Sequence, residues 1–201
     1  MRTMPRAPLW IGVTTIAYGL GTAASGWLVG ATLRPLSPLL AGIPYIFVYG
    51  ALIGGVMAVV QVLVLPAGGR LRWWLATLIG AGAGFVLLSV VGEILAVVID
   101  YRVRVTISEG IIQASSGAVL GFAIAVAQRL ALPARLPSAR RWIVATAIAA
   151  GLGYAAAAGA LELFEIAILR SNLVLSFGAI VGLFIAVAQG LALRAGRARP
   201  T

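Results

Sequence analysis

The chain has 201 residues, of which 62% are hydrophobic and 10% charged, and its mean hydropathy is +1.08; soluble domains carry about 25% charged residues, so this composition belongs to an integral membrane protein. Its 15 basic residues, all arginine, stand against five acids for a net charge of +10, yet they lie in short clusters between apolar runs with no aromatic platform beside them, which excludes nucleic acid as a partner. Cysteine and histidine are absent, which removes disulfides, thiolate or imidazole metal sites, histidine-ligated haem and the commonest general base; no cofactor or metal is expected.

Residues 1–8 form a short basic lead. The apolar run 9–33 that follows exceeds the roughly 7–15 residues of a secretory-signal core and is expected to be the first transmembrane span. Residues 34–42 are turn-rich, with Ser37 before Pro38 marking a helix start and Pro44 a second first-turn position. The second span covers 44–65, and after a basic loop at 66–72 the third covers 73–99. In the link 100–109, Tyr101, Val103, Val105 and Ile107 alternate with Arg102, Arg104, Thr106 and Ser108, the period of an extended segment. The fourth span is 110–132, another basic loop fills 133–141 with Ser138 placed as a helix cap, and spans 142–169 and 173–193 complete the chain. Each span reaches the roughly 20 residues that cross about 30 Å of hydrocarbon. The expected fold is thus an all-α integral membrane bundle of six transmembrane helices, a single domain over 1–201.

Arginine placement orients it. Arg2, Arg6, Arg70, Arg72, Arg129, Arg135, Arg140, Arg141, Arg194, Arg197 and Arg199 fall on one side without an acid, whereas the other side mixes Arg34, Arg102, Arg104 and Arg170 with Asp100 and Glu109. Basic residues near span ends stay in the cytoplasm, so both termini are expected there, in the cytoplasmic (inner) membrane of a bacterium.

One spacing recurs. Gly50, Gly54, Gln61, Leu63 and Leu65 are followed by Trp73, Thr77 and Gly84; Gly117, Gly121, Gln128, Leu130 and Leu132 by Trp142, Thr146 and Gly153. Gly178, Gly182, Gln189, Leu191 and Leu193 supply a third first half, and Trp10, Thr14 and Gly21 its second. The expected arrangement is three αα-hairpins around a pseudo-threefold axis. At 100° per residue, the glycines and glutamine of one helix share a stripe, as do the tryptophan, threonine and glycine of the next. Such small-x3-small faces let helix backbones approach closely where lipid supplies no hydrophobic drive. Equal depth on neighbouring helices predicts the contacts Gln61–Thr77, Gln128–Thr146 and Gln189–Thr14, either as simple interhelical bonds or as a polar ring lining a path. Trp10, Trp73 and Trp142 are expected as anchors at the cytoplasmic interface, the usual place of amphipathic rings.

The acids mark a second region. Glu93 and Glu162 both stand 20 residues after their tryptophan, with Glu165 one turn beyond; about 30 Å of helix puts them near the outer boundary. They are expected either to pair with Arg102, Arg104 and Arg170 or to form an acidic outer mouth.

The hairpin plan resembles that of mitochondrial carriers, whose proline-acid-base motif is absent from the odd spans here. The glycine-x3-glycine-x6-glutamine-x-leucine-x-leucine stretch with tryptophan-x3-threonine resembles uncharacterised multi-pass membrane proteins of bacteria, a resemblance that implies the fold and no activity. Phosphate-loop, zincin and serine-triad signatures are missing, and Gly80, Gly82 and Gly84 read as helix-packing residues. The protein is therefore expected to be no enzyme. It is expected to act as an accessory, assembly or scaffolding subunit, with the lipid bilayer and other membrane-protein subunits as partners. The alternative is a small channel or transporter with a path lined by Gln61, Gln128, Gln189 and the outer glutamates.

Overall fold

The computed structural model describes residues 7–28, 42–98, 109–131, 139–164 and 170–197. They form six α-helices and, among the described residues, no strand: α1 (Ala7–Leu28), α2 (Ile43–Val62), α3 (Arg70–Val98), α4 (Glu109–Ala131), α5 (Ala139–Phe164) and α6 (Arg170–Arg197). Five stretches are long and apolar enough to cross a membrane: Ile43–Val62, Ala67–Val91, Ile111–Ala131, Ala139–Ala160 and Leu175–Arg194. This is a multi-pass membrane protein. Six spans were expected; among the described residues, α1 is not one of these five.

Several helices begin earlier than the apolar runs suggest. α3 starts at Arg70 and α5 at Ala139, so each takes in arginines that the sequence places in loops. Glu109, the last residue of the alternating link, opens α4. Residues 100–108, like Ser37, lie outside the described residues. α2 opens on Gly42, whose φ of 67° favours a residue without a Cβ, with Pro44 in its first turn. At its other end the backbone tightens to i→i+3 bonds from the amides of Leu63, Val64 and Leu65. A 3-10 turn, Ala67–Gly69, then leads into α3, and Arg70 Nε closes the bend by donating to the Leu65 carbonyl at 3.0 Å.

Each helix packs on two others: α1 on α2, α2 on α3, α3 on α4, α4 on α5, α5 on α6 and α6 on α1, so the set closes into a ring. Glycine determines which faces meet. A Cβ at Gly54 would lie 2.6 Å from the Thr77 carbonyl oxygen, and one at Gly50 2.7 Å from that of Ala81, so α2 presses backbone to backbone on α3. Gly117 and Gly121 bring α4 equally close to Ala150 and Thr146 on α5, and Gly178 and Gly182 bring α6 to Tyr18 on α1. The glycines of the tryptophan helices serve the alternate interfaces: Gly21 faces Met57, Gly84 faces Leu120 and Ala123, and Gly153 faces Val181 and Phe184.

Residues equivalent by spacing are buried alike. Ala58, Ala125 and Ala186, then Met57, Ile124 and Ile185, then Ile53, Leu120 and Val181 all lie in the core. Farther from the tryptophans, Tyr18 is buried beside Tyr49, Phe85, Tyr154 and Phe177, with edge-to-face pairs at 5.3 Å (Tyr49–Phe85) and 5.2 Å (Tyr154–Phe177). The outward faces carry exposed Leu9, Ile16, Val59, Ile79, Ile148 and Leu183 among others, as lipid-facing surfaces do.

The glycine contacts make a direct prediction. Gly54→Ala drives a methyl group into the Thr77 backbone and should destabilise the bundle by about 1–3 kcal/mol. Gly12→Ala, where nothing lies within 4 Å, should leave stability unchanged or raise it by about 0.5–1 kcal/mol. Equilibrium unfolding in mixed micelles separates the two.

A candidate functional site on the bundle axis

Trp10 and Thr14, Trp73 and Thr77, and Trp142 and Thr146 are i, i+4 pairs and therefore share a helix face. That face turns inward on α1, α3 and α5. Gln61, Gln128 and Gln189 turn inward from α2, α4 and α6 at the same depth. All nine side chains are at most 2% exposed. The three indoles come from helices that are not neighbours in the ring, yet Trp10 and Trp73 meet edge to face at 5.4 Å and Trp73 and Trp142 at 6.1 Å. They therefore lie across the axis, with Leu65, Leu193, Ala125 and Ala192 packed around them. Edge-to-face pairs of this kind contribute about 0.5–1.5 kcal/mol each beyond burial.

The polar atoms bond to one another. Trp73 Nε1 donates to Gln61 Oε1 at 2.9 Å, and Gln61 Nε2 to Thr14 Oγ1 at 3.4 Å. Trp10 Nε1 donates to Gln189 Oε1 at 3.2 Å, and Gln189 Nε2 is shared between Thr146 Oγ1 and Gln128 Oε1, each at 3.3 Å. Gln128 Nε2 donates to Thr77 Oγ1 at 3.1 Å. By analogy with the other two, Trp142 would donate to Gln128; instead that oxygen receives Gln189, and the buried Trp142 Nε1 has no partner.

Two sequence expectations need correction. The glutamines do bond threonines, but Gln61 reaches Thr14 and not Thr77, Gln128 reaches Thr77 and not Thr146, and Gln189 reaches Thr146 and not Thr14. Helix stagger is the reason. Gly54 sits against the Thr77 backbone, and Gln61, seven residues or about 10 Å farther along, is past Thr77 and lies near the start of α3, within reach of the Trp73 indole. At the alternate interface Gly80 faces Ile124 and Ala127, which brings Thr77 level with Gln128. The tryptophans are likewise not interfacial anchors. Because α3 and α5 begin before them, these indoles are carried inside the bundle, where their bulk closes the middle of a six-helix ring. Their shared stripe with threonine and glycine was the available signal, since an interfacial anchor has no need of a packing face. Trp74, next in the chain, is only half-buried and donates to the Gly55 carbonyl at 3.1 Å. The aromatic layer of Tyr18, Tyr49, Phe85, Tyr154 and Phe177 was not anticipated, although the signal was there: Tyr49 and Phe177 each stand 12 residues before their glutamine, and Phe85 and Tyr154 each 12 after their tryptophan.

Glu93 and Glu162 belong to α3 and α5, but their side chains, and Glu165 altogether, lie outside the described residues. The nine belt residues themselves offer amides, hydroxyls and indoles. None of these exchanges protons near neutral pH, so the belt holds no general acid or base. No family model, no curated protein and no solved structure matches the chain.

The odd indole separates packing from hydrogen bonding. Trp73→Phe removes ring volume and also leaves the Gln61 oxygen without its donor, whereas Trp142→Phe removes volume and an N–H that bonds nothing. Trp73→Phe should therefore be the more destabilising, by about 1 kcal/mol, in parallel unfolding measurements.

Proposed function

We propose that the protein is a non-catalytic membrane protein, an accessory, assembly or scaffolding subunit of a membrane complex. In this reading it has six spans, arranged as three repeated hairpins about a pseudo-threefold axis, with both termini in the cytoplasm of a bacterial cell. The observation that carries the reading is the belt. A permeation path needs polar groups left open to a solute, and here the amides and threonine hydroxyls are engaged with one another and shut from solvent. Leu65 and Leu193 on one side and Met57, Ile124 and Ile185 on the other add apolar layers, where an unpaired polar solute costs several kcal/mol. Recurrent glycine faces and a bonded belt suit a rigid insert whose role is to be packed against. The proposed topology is supported by the arginines at the tryptophan end, among them Arg70, Arg72, Arg140, Arg141 and Arg194.

A second reading, a small channel or transporter using the glutamines and the outer glutamates, draws on the Gln189–Gln128 contact at 3.3 Å, since two of the three amides do face a common space. Reconstitution into liposomes distinguishes the readings. The scaffold reading expects ion and small-solute flux equal to that of protein-free vesicles, and recovery from native membranes in mild detergent with a partner at fixed stoichiometry. Flux that disappears in Gln128→Leu would overturn it.

The chain contains no cysteine, so single-cysteine variants report topology cleanly. Gly68→Cys, in the turn between α2 and α3 with nothing within 4 Å, should react with a membrane-impermeant maleimide only after the cells are permeabilised. Labelling in intact spheroplasts would reverse the orientation.

A further inference from the structure

The outer surface is not uniform. Between α5 and α6 runs a groove of about 1010 Å³, lined by Ala145, Ile148 and Leu152 on one wall and by Phe184, Ala188 and Leu191 on the other, with Arg140 and Arg141 at its tryptophan end. Both arginines are exposed. The groove exists because small residues, Ala145 and Ala188, stand where the helix surfaces diverge beyond the Gly153 contact with Val181 and Phe184. A second groove, of about 600 Å³ between α2 and α3, is lined by Ile43, Pro44, Phe47 and further apolar residues, with no charged residue among the described residues that line it.

Charge and length together indicate what fills the α5–α6 groove. From Arg141 to Leu152 is 11 residues, about 16 Å of helix, which matches one leaflet of a hydrocarbon core about 30 Å thick. An acyl chain lying along the groove would place its headgroup at the two guanidiniums, which bind phosphate oxygens through paired N–H donors. The arginine pair is particular to this place. The two residues before Trp73 are Leu71 and Arg72, and those before Trp10 are Pro8 and Leu9, although the walls at those positions are similarly apolar. Basic recesses between transmembrane helices recognise anionic lipid headgroups.

We propose that the α5–α6 groove is a binding site for an anionic glycerophospholipid of the leaflet at the tryptophan end, with Arg140 and Arg141 holding the headgroup phosphate and the alanine-floored groove holding one acyl chain. The site requires both parts: the arginines select charge, and the groove fixes the chain below them.

Native mass spectrometry of the full chain, titrated with phosphatidylglycerol or phosphatidylcholine of identical acyl chains, tests this. Phosphatidylglycerol should bind on the order of tenfold tighter, and the preference should fall to near parity in Arg140→Gln/Arg141→Gln. Ala145→Leu/Ala188→Leu, which fills the groove and keeps both arginines, should also abolish it. Arg72→Gln, at the matching position of α3, should retain it. Inorganic phosphate at millimolar concentration should not displace the lipid, since it lacks the chain. Equal affinity for the two lipids, a preference that survives either double variant, an equal loss in Arg72→Gln, or displacement by inorganic phosphate would each overturn the proposal.

Discussion

Helices inside lipid gain nothing from hiding apolar surface from one another, because the surrounding tails are as apolar as they are. Their association rests on how closely backbones approach, and here glycine decides that at all six helix interfaces. At three of them the approach is backbone on backbone, through pairs of glycines four residues apart. At the other three, the glycines of the tryptophan helices make the approach: Gly21 against the Met57 side chain, Gly80 and Gly84 against both side chain and backbone of α4, and Gly153 against the Val181 backbone. The stagger between helices follows from these contacts, and the stagger decides which polar groups face each other.

The belt is a consequence of that geometry. At the level of the tryptophans the centre of the ring is filled by aromatic bulk and not by the aliphatic layers found deeper in the bundle. Three indoles lie there, and each brings an N–H into a place shut from solvent. Gln61 and Gln189 meet that demand for Trp73 and Trp10, because one side chain accepts from an indole and donates to a threonine of another helix, so a single residue joins three helices. The Trp142 N–H goes without a partner. Each part presupposes the others: glycine makes the ring tight, the ring needs a large filler, and the filler needs an amide. A bundle assembled this way has fixed polar contacts and leaves none of them for chemistry, which is why the proposed role is one of packing and not of turnover.

Much of this was legible in the sequence. Composition fixed the class and the stripes identified the packing faces. The glutamines do bond threonines of neighbouring helices, though not the threonines the spacing suggested, and the indole bonds of Gln61 and Gln189 were not foreseen. What could not be read was azimuth and stagger. The spacing of Gln61 and Thr77 is equally compatible with a bond between them or with each turning to its other neighbour, and the choice rests on where Gly54 meets α3. Burial of Trp73 was also hidden, because the arginines before it look like a loop when they are in fact the first turn of α3. The groove between α5 and α6 depends on how two surfaces diverge, which no single-helix pattern contains.

The contact of α6 with α1 has a further meaning. No loop joins these helices, yet Gly178 and Gly182 meet Tyr18 as Gly50 and Gly54 meet Ala81 and Thr77 across the bend at 63–69. The ring has no structural seam. Joining the end of α6 to the start of α1 and opening the chain at the Ala67–Gly69 turn would yield a circular permutant with every interface preserved, so the order in which the helices are threaded is separable from the architecture they build.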